Sequence, residues 1–256
     1  MKPVKVKELA LKISEGLLAT VTDLLLFQFY LIGASVGKSK TSRDAYLMLD
    51  EATQDFRSVN YQTIKQTFAY LKRKGLIRSL LEPVITEEGK KRLAAVVPQY
   101  IEKRTWDKVL YLITYDIPET KRKWRDKLRL TLKSLGAGCL QASVWITPYN
   151  PQKILQDFSQ RLGFEGEIII SCIGKDGYIG TESIQELIQR VYRLEEINGE
   201  YLQFLEKYGN NKINKKDKWR AAVSYLSILG RDPQLPLALL VKDWAGDRAQ
   251  ARFVNI

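Results

Sequence analysis

Between Asn60 and Lys74 the chain reads NYQTIKQTFAYLKRK. Ile64, Phe68 and Leu71 recur at i, i+4 and i+7, which is one face of an α-helix. Gln62, Lys65, Gln66, Ala69, Lys72 and Arg73 fall on the other face. Amides pair with base edges, and cations meet phosphates or guanine. That face therefore has the chemistry to read duplex DNA. Asn60 is placed to cap the helix, and Gly75 to end it. Asn60 and Tyr61 at its start, and Arg78 just beyond it, complete the set of expected DNA contacts.

A second chemical candidate is a lone carboxylate. Asp116 ends the apolar run VLYLITYDI. A carboxylate at the end of a buried strand can hold Mg²⁺ for phosphoryl transfer. Its nearest acids in sequence are Glu119 and Asp126, and only Glu119 is placed to reach back. The order Asp116-Ile117-Pro118-Glu119 also has the form of a helix start, with Asp116 as cap and Pro in the first turn. The capping role is the main expectation here, and a metal ligand is the alternative.

Composition narrows the field further. The 256 residues contain no histidine, and Lys+Arg exceeds Asp+Glu by 41 to 29, a net charge of +12. Without imidazole there is no Ser-His-Asp or Cys-His catalysis and no His-based zinc site. The cation excess lies in the first two thirds of the chain and favours a polyanionic partner. The cysteines Cys139 and Cys172 are expected to be reduced core residues of a cytoplasmic protein. The apolar run Leu17–Val36 is long enough for a membrane span, but Asp23 and Gln28 interrupt it, so a buried helix of a soluble domain is expected.

The elements that must position these groups follow from periodicity. Residues 7–32 have a helical pattern, and a second amphipathic helix starts at Ser42. After the helix at Asn60–Lys74, the segment LIRSLLEPVITEEGKKRL predicts two short strands around a Glu82-Pro83 turn and then a helix begun at Thr86. That order is a winged helix-turn-helix, whose second helix enters the major groove. A linker covers Pro98–Thr105. From Trp106 the pattern is strand, basic helix, strand, helix, strand, with Trp124, Leu128 and Leu132 as the buried stripe of the basic helix. This is the start of a split-βαβ, ferredoxin-like fold. From Thr181 one long helix is expected, then a polar loop at Asn210–Lys218, a helix at Trp219–Leu229 and a Pro-containing, amphipathic end.

Two resemblances refine this. The segment LYLITYDIPETKRKWRDKLRLTLKSLGAG, followed by LQASVWI, resembles the small adaptation subunit of CRISPR-associated ferredoxin-like endonucleases. In that likeness Asp116 matches the metal-binding aspartate, which implies Mg²⁺. The chain as a whole resembles the PaaX family of transcriptional repressors. The ending carries the signature: Asp232-Pro233, Leu235-Pro236, Leu239-Leu240, Asp243-Trp244 and Gly246, with SVWITPY in the central strand. This resemblance implies an α+β chain with a winged-helix DNA-binding domain (1–98), a central ferredoxin-like βαββαβ-type dimerisation domain (106–178) and a C-terminal helical domain (180–256). It further implies a cytoplasmic homodimer on double-stranded operator DNA, released by a small acyl-coenzyme A effector. No resident cofactor and no catalysis are expected on this reading. A metal-dependent endonuclease centred on Asp116 is the alternative.

Overall fold

The computed structural model describes residues 18, 20–32, 60–78, 84–162, 166–174, 181–209, 213 and 215–255. The helix expected from Ser42, the loop before it, the first part of the helix at 7–32 and the Glu82-Pro83 turn lie outside the described residues. The fold is α+β. Residue contacts gather the chain into two units. One takes Met1–Tyr100, Gly199–Arg231 and Ala245–Ile256; the other takes Ile101–Asn198 and Asp232–Trp244.

The first unit is built on α1 (Val21–Ile32). Its residues Leu24, Leu25, Leu26, Phe27 and Phe29 are all buried. A helix apolar on every side has to be internal. Phe29 meets Phe68 of α2 (Tyr61–Arg73) edge-on, with ring centroids 5.2 Å apart. Phe27 meets Trp219 at 5.3 Å. Trp219 lies on α8 (Lys215–Leu229), which belongs to this unit with α9 (Gly246–Val254) and most of α7 (Leu194–Tyr208). Among the described residues, no helix is long and apolar enough to cross a membrane.

Asp23, only 5% exposed, is one of two buried polar residues that α1 must accommodate, the other being Gln28. Its carboxylate accepts hydrogen bonds from the Thr20 hydroxyl and from Nε of Arg92, the latter at 2.9 Å. Arg92 sits on α3 (Glu87–Ala94), so this ion pair ties α1 to α3. A buried carboxylate is tolerated only when paired and hydrogen-bonded in this way.

The second unit is a four-stranded antiparallel sheet in the order β2-β3-β1-β4. Its strands are β1 (Leu110–Asp116), β2 (Gly138–Gln141), β3 (Val144–Thr147) and β4 (Glu167–Ile173). Helix α4 (Arg122–Ser134) joins β1 to β2, and α5 (Gln152–Leu162) joins β3 to β4. Each helix connects two parallel strands that hold a third, antiparallel strand between them, which is the ferredoxin-like arrangement. The expected single second strand is in fact two strands. Ala142 and Ser143 turn the chain without the Gly or Asn that usually marks a hairpin.

Alternation along β1 sends side chains to two different cores. Ile113 and Tyr115 pack with Leu128 and Leu132 of α4 and with Leu155 and Phe158 of α5. Leu110 packs on the other side with Ile146, with Leu187 and Ile188 of α6 (Ile184–Tyr192), and with Leu235, Leu239 and Leu240. Tyr192 closes this side. Its hydroxyl donates to the Ile146 carbonyl at 2.7 Å or the Gly136 carbonyl at 2.9 Å, and accepts from the Gly138 amide at 3.0 Å. Burial pushes the pKa of that hydroxyl far above its ordinary value. Gly138 is needed there: an added Cβ would come within 2.4 Å of Val191.

Two further expectations are corrected. Cys139 and Cys172 are free but exposed, because each lies on a solvent-accessible part of an outer strand. The long helix after Thr181 breaks at Arg193, which adopts φ 54, and resumes as α7. Residues of the expected linker are anchored: the Ile101 amide donates to the Gln234 side chain at 2.6 Å, and Arg104 donates to the Ile101 carbonyl at 2.9 Å.

Removing the Asp23 carboxylate should loosen the first unit. Asp23→Ala is expected to cost about 2 kcal/mol, the range for a hydrogen bond to a charged group, less whatever Arg92 recovers by turning to water. Chemical denaturation of both proteins measures it; equal midpoints would contradict the role given to this ion pair.

Candidate nucleic-acid interface

Helix α2 begins where its sequence allows. Asn60 is extended (φ -61, ψ 134), and its side-chain oxygen accepts from the Gln62 amide at 2.8 Å. That satisfies one of the free N–H groups of the first turn. Ile64, Phe68 and Leu71 are buried, as the periodicity requires. Gln62, Lys65, Gln66, Ala69, Lys72 and Arg73 are all exposed, and Tyr61 is half-buried. The Arg73 guanidinium lies 5.8 Å from the centre of the Tyr70 ring. Among the described residues no carboxylate pairs with Lys65, Lys72 or Arg73. Gly75, at φ +67, reverses the chain after the helix.

The segment beyond α2 has the geometry of a wing base. Ile77 and Ile85 form an antiparallel bridge, and the Arg78 amide donates to the Val84 carbonyl at 2.9 Å. Arg78 is exposed. Thr86 then caps α3 by accepting from the Gly89 amide at 3.1 Å, while its hydroxyl donates to the Gly75 carbonyl at 2.6 Å. Thr86 thus holds the end of α2 and the start of α3 together. The approach leaves no space at Gly89, where a Cβ would meet the Leu76 carbonyl at 2.3 Å.

Asp116 belongs to the second unit, and the capping expectation for it is overturned. It is the last residue of β1, is exposed, and lies opposite Glu167 of β4. The 3-10 turn Glu119–Lys121 and α4 both begin without a side-chain cap. Backbone pairing holds Asp116 in the sheet, so it does not reach the free N–H groups of the helix. Glu119 is also taken: Arg125 donates to both of its oxygens, at 2.8 and 3.0 Å, and holds the carboxyl below its usual range. Glu167 is the neighbour that the sequence did not reveal, since strand register is not visible in it. Directly opposed residues place their Cβ atoms about 5 Å apart, so two carboxylates share this edge. Among the described residues, no group of three or more His, Cys, Asp or Glu side chains is placed to hold a metal ion.

The C-terminal motif proves to be architectural. Asp232 is buried, and its carboxylate accepts from the Gln234 amide at 2.7 Å, which makes an Asx turn. Gln234 adopts φ 48, and its carbonyl accepts from the Tyr149 hydroxyl at 2.8 Å. The turn delivers Leu235, Leu239, Leu240 and Trp244 to the face of the sheet opposite α4 and α5. On the α5 side, a cleft of about 500 Å³ lies between α5 and β4, lined by Tyr111, Gln152, Gln156, Ile168, Ile170 and Cys172 among others. Among the described residues, no charged side chain lines it. The Tyr111 hydroxyl donates to Asp107 at 2.7 Å, which lowers the pKa of that carboxyl.

Known proteins resemble the chain in two ways. Residues 103–205 match the family described as "PaaX protein central Cas2-like domain", and residues 192–256 match "PaaX-like protein C-terminal domain". A solved structure of an uncharacterized protein from Mycobacterium tuberculosis shares the fold at 16% identity, with a TM-score of 0.56, covering 92% of this chain and 94% of that one. No curated protein matches the chain.

Because Asn60 fixes the start of α2, Asn60→Ala is expected to cost about 1 kcal/mol. The loss should appear as a lower melting temperature, and an unchanged one would remove Asn60 from the cap.

Proposed function

The chain belongs to the PaaX family of transcription regulators, and from that premise we propose that it is a repressor that binds a palindromic operator as a homodimer through α2. The observation that carries this reading is the exposed face of α2. It combines two amides, Gln62 and Gln66, with three cations that no carboxylate pairs with among the described residues, Lys65, Lys72 and Arg73. The helix is rigidly started by Asn60 and backed by Ile64, Phe68 and Leu71. Amides and cations on a fixed helix are what major-groove readout uses. Arg78 at the wing base adds a cation for phosphate.

The sheet of the second unit supports the dimer. β4 is an edge strand, and its Ile169 is 57% exposed. An edge with open backbone groups and exposed apolar side chains favours pairing with another chain. Two-fold symmetry of the protein would then be mirrored in a two-fold symmetric site. Release would come from a small effector of the acyl-coenzyme A type. The uncharged cleft between α5 and β4 suits the acyl part of such a molecule and not its phosphates.

A second reading rests on Asp116 and Glu167. A Mg²⁺ site commonly uses one or two carboxylates together with water and substrate phosphate, and this pair supplies that number. The site would then belong to a nuclease.

Two experiments decide. Operators selected from a random duplex pool should be retained by the protein at physiological salt, and Lys65→Glu or Arg73→Glu should weaken retention about a hundredfold, the upper range for one lost base or phosphate contact. Undiminished binding would sink the assignment of α2. Duplex DNA and RNA incubated with Mg²⁺ or Mn²⁺ should remain uncut, and Asp116→Ala should bind the operator normally. Cleavage that disappears in Asp116→Ala would establish the nuclease instead.

A further inference from the structure

Helix α4 has a polar face that stands out once the pairing of each cation is followed through the structure. Along its exposed side lie Arg122, Lys123, Lys127 and Lys133, all exposed. None forms a salt bridge with a carboxylate among the described residues, although Arg122 lies close enough to Glu119 to help hold its carboxyl below the usual range. Lys127 instead lies over the Trp124 ring, 5.0 Å from its centre. The two other arginines of the helix are already engaged. Arg125 is held by Glu119, and Arg129 donates to the Tyr115 hydroxyl at 3.1 Å and the Ala142 carbonyl at 3.0 Å. Asp126 is the one acid on this helix.

Several exposed cations elsewhere are paired with acids. On α3, Lys90 pairs with Glu87 and Lys91 with Glu88. Arg190 pairs with Glu182, Arg193 with Glu196, and Arg231 with Glu200. Such pairs leave little net field. Helices α2 and α4 each present several exposed cations without a salt-bridge partner among the described residues.

We propose that α4 is a second, sequence-independent contact for duplex DNA, binding phosphates outside the base pairs that α2 reads. Its thirteen residues span about 20 Å, and duplex DNA carries a phosphate every 3.4 Å along each strand, on the order of ten phosphates over that length. Cations on long flexible stems suit this partner, because phosphate contacts require charge and not a fixed fork. The face carries no amide ladder that would read bases. A membrane surface fits less well. The apolar stripe of α4, Leu128 and Leu132, is buried in its own domain, and Leu130 alone stands exposed, at 67%. An interfacial helix needs a continuous apolar face turned outward. The proposal rests on the reading that DNA is the partner, but it assigns a different surface and a different kind of contact.

The test replaces Arg122, Lys123, Lys127 and Lys133 together by Gln in the full chain. Affinity for a long duplex bearing a selected operator is measured across a series of salt concentrations. Each phosphate contact contributes about 0.9 to the slope of log K against log salt, so the slope should fall by about 3 to 4. On the minimal operator the slope should change little. Lys123→Arg, Lys127→Arg and Lys133→Arg, which keep the charge, should retain the wild-type slope and show that the loss is not one of folding. The same slopes on a random-sequence duplex separate the two readings. If wild type shows no preference for any selected duplex but the Gln variant still lowers the random-duplex slope, the repressor reading fails and the α4 contact stands. A wild-type slope in the Gln variant on the long duplex overturns the proposal. So does a variant that loses binding only to phosphatidylserine vesicles while its DNA slope is unchanged.

Discussion

A central strand that is apolar on both sides cannot be left with one face in water. β1 is such a strand, and the architecture of the second unit is the response to it. Ile113 and Tyr115 require α4 and α5 above the sheet. Leu110, with Ile146 beside it, requires a second layer below. A ferredoxin-like domain ordinarily covers one face with its two helices. Here α6 and the segment Asp232–Trp244 cover part of the other. Burying a Leu or Ile side chain is worth roughly 1.5–3 kcal/mol, so leaving this layer open would forfeit much of the stability of a small sheet. The Tyr192 hydroxyl meets the polar demand of the same layer by satisfying backbone groups at Gly136, Gly138 and Ile146.

Cation placement follows a different logic. A surface arginine beside a glutamate contributes little stability, but the pairing removes a positive field from that part of the protein. Pairing on α3, α6 and α7 weakens the field there and leaves it stronger on faces such as those of α2 and α4. The net charge is then less informative than its distribution. A basic chain with all of its cations paired to acids would offer no surface to a polyanion.

Much of this was legible in the sequence, for identifiable reasons. The stripes of α2 and α4 were readable because 3.6-residue periodicity is a local property. The caps at Asn60 and Thr86 were readable because a short side chain bonds a backbone group two or three residues away. The Asp116–Glu167 juxtaposition was hidden because register depends on how two distant strands align. The division of β2 from β3 was hidden because Ala142 and Ser143 carry no turn signal of their own. Arg193 concealed the break between α6 and α7, since a left-handed arginine has no mark in composition. The Asp-Pro and Asp-Trp ending was recognisable as a pattern, but its work as a covering layer emerged only with the two-sided core of β1.

The interleaving of the two units has a consequence for biosynthesis. Trp219, which packs on Phe27, leaves the ribosome nearly two hundred residues after its partner. Phe253, stacked on Tyr225 with centroids 4.5 Å apart, follows later still. The sheet from β1 to β4 has most of its partners within a nearly contiguous stretch and can begin to assemble during translation. The unit bearing α2 must wait, with α1 and its apolar surface incompletely covered, until α8 and α9 have emerged. The nascent chain therefore carries a period of exposed α1 that a chaperone would be expected to shield, and the exposed face of α2 would be among the last parts of the molecule to become rigid.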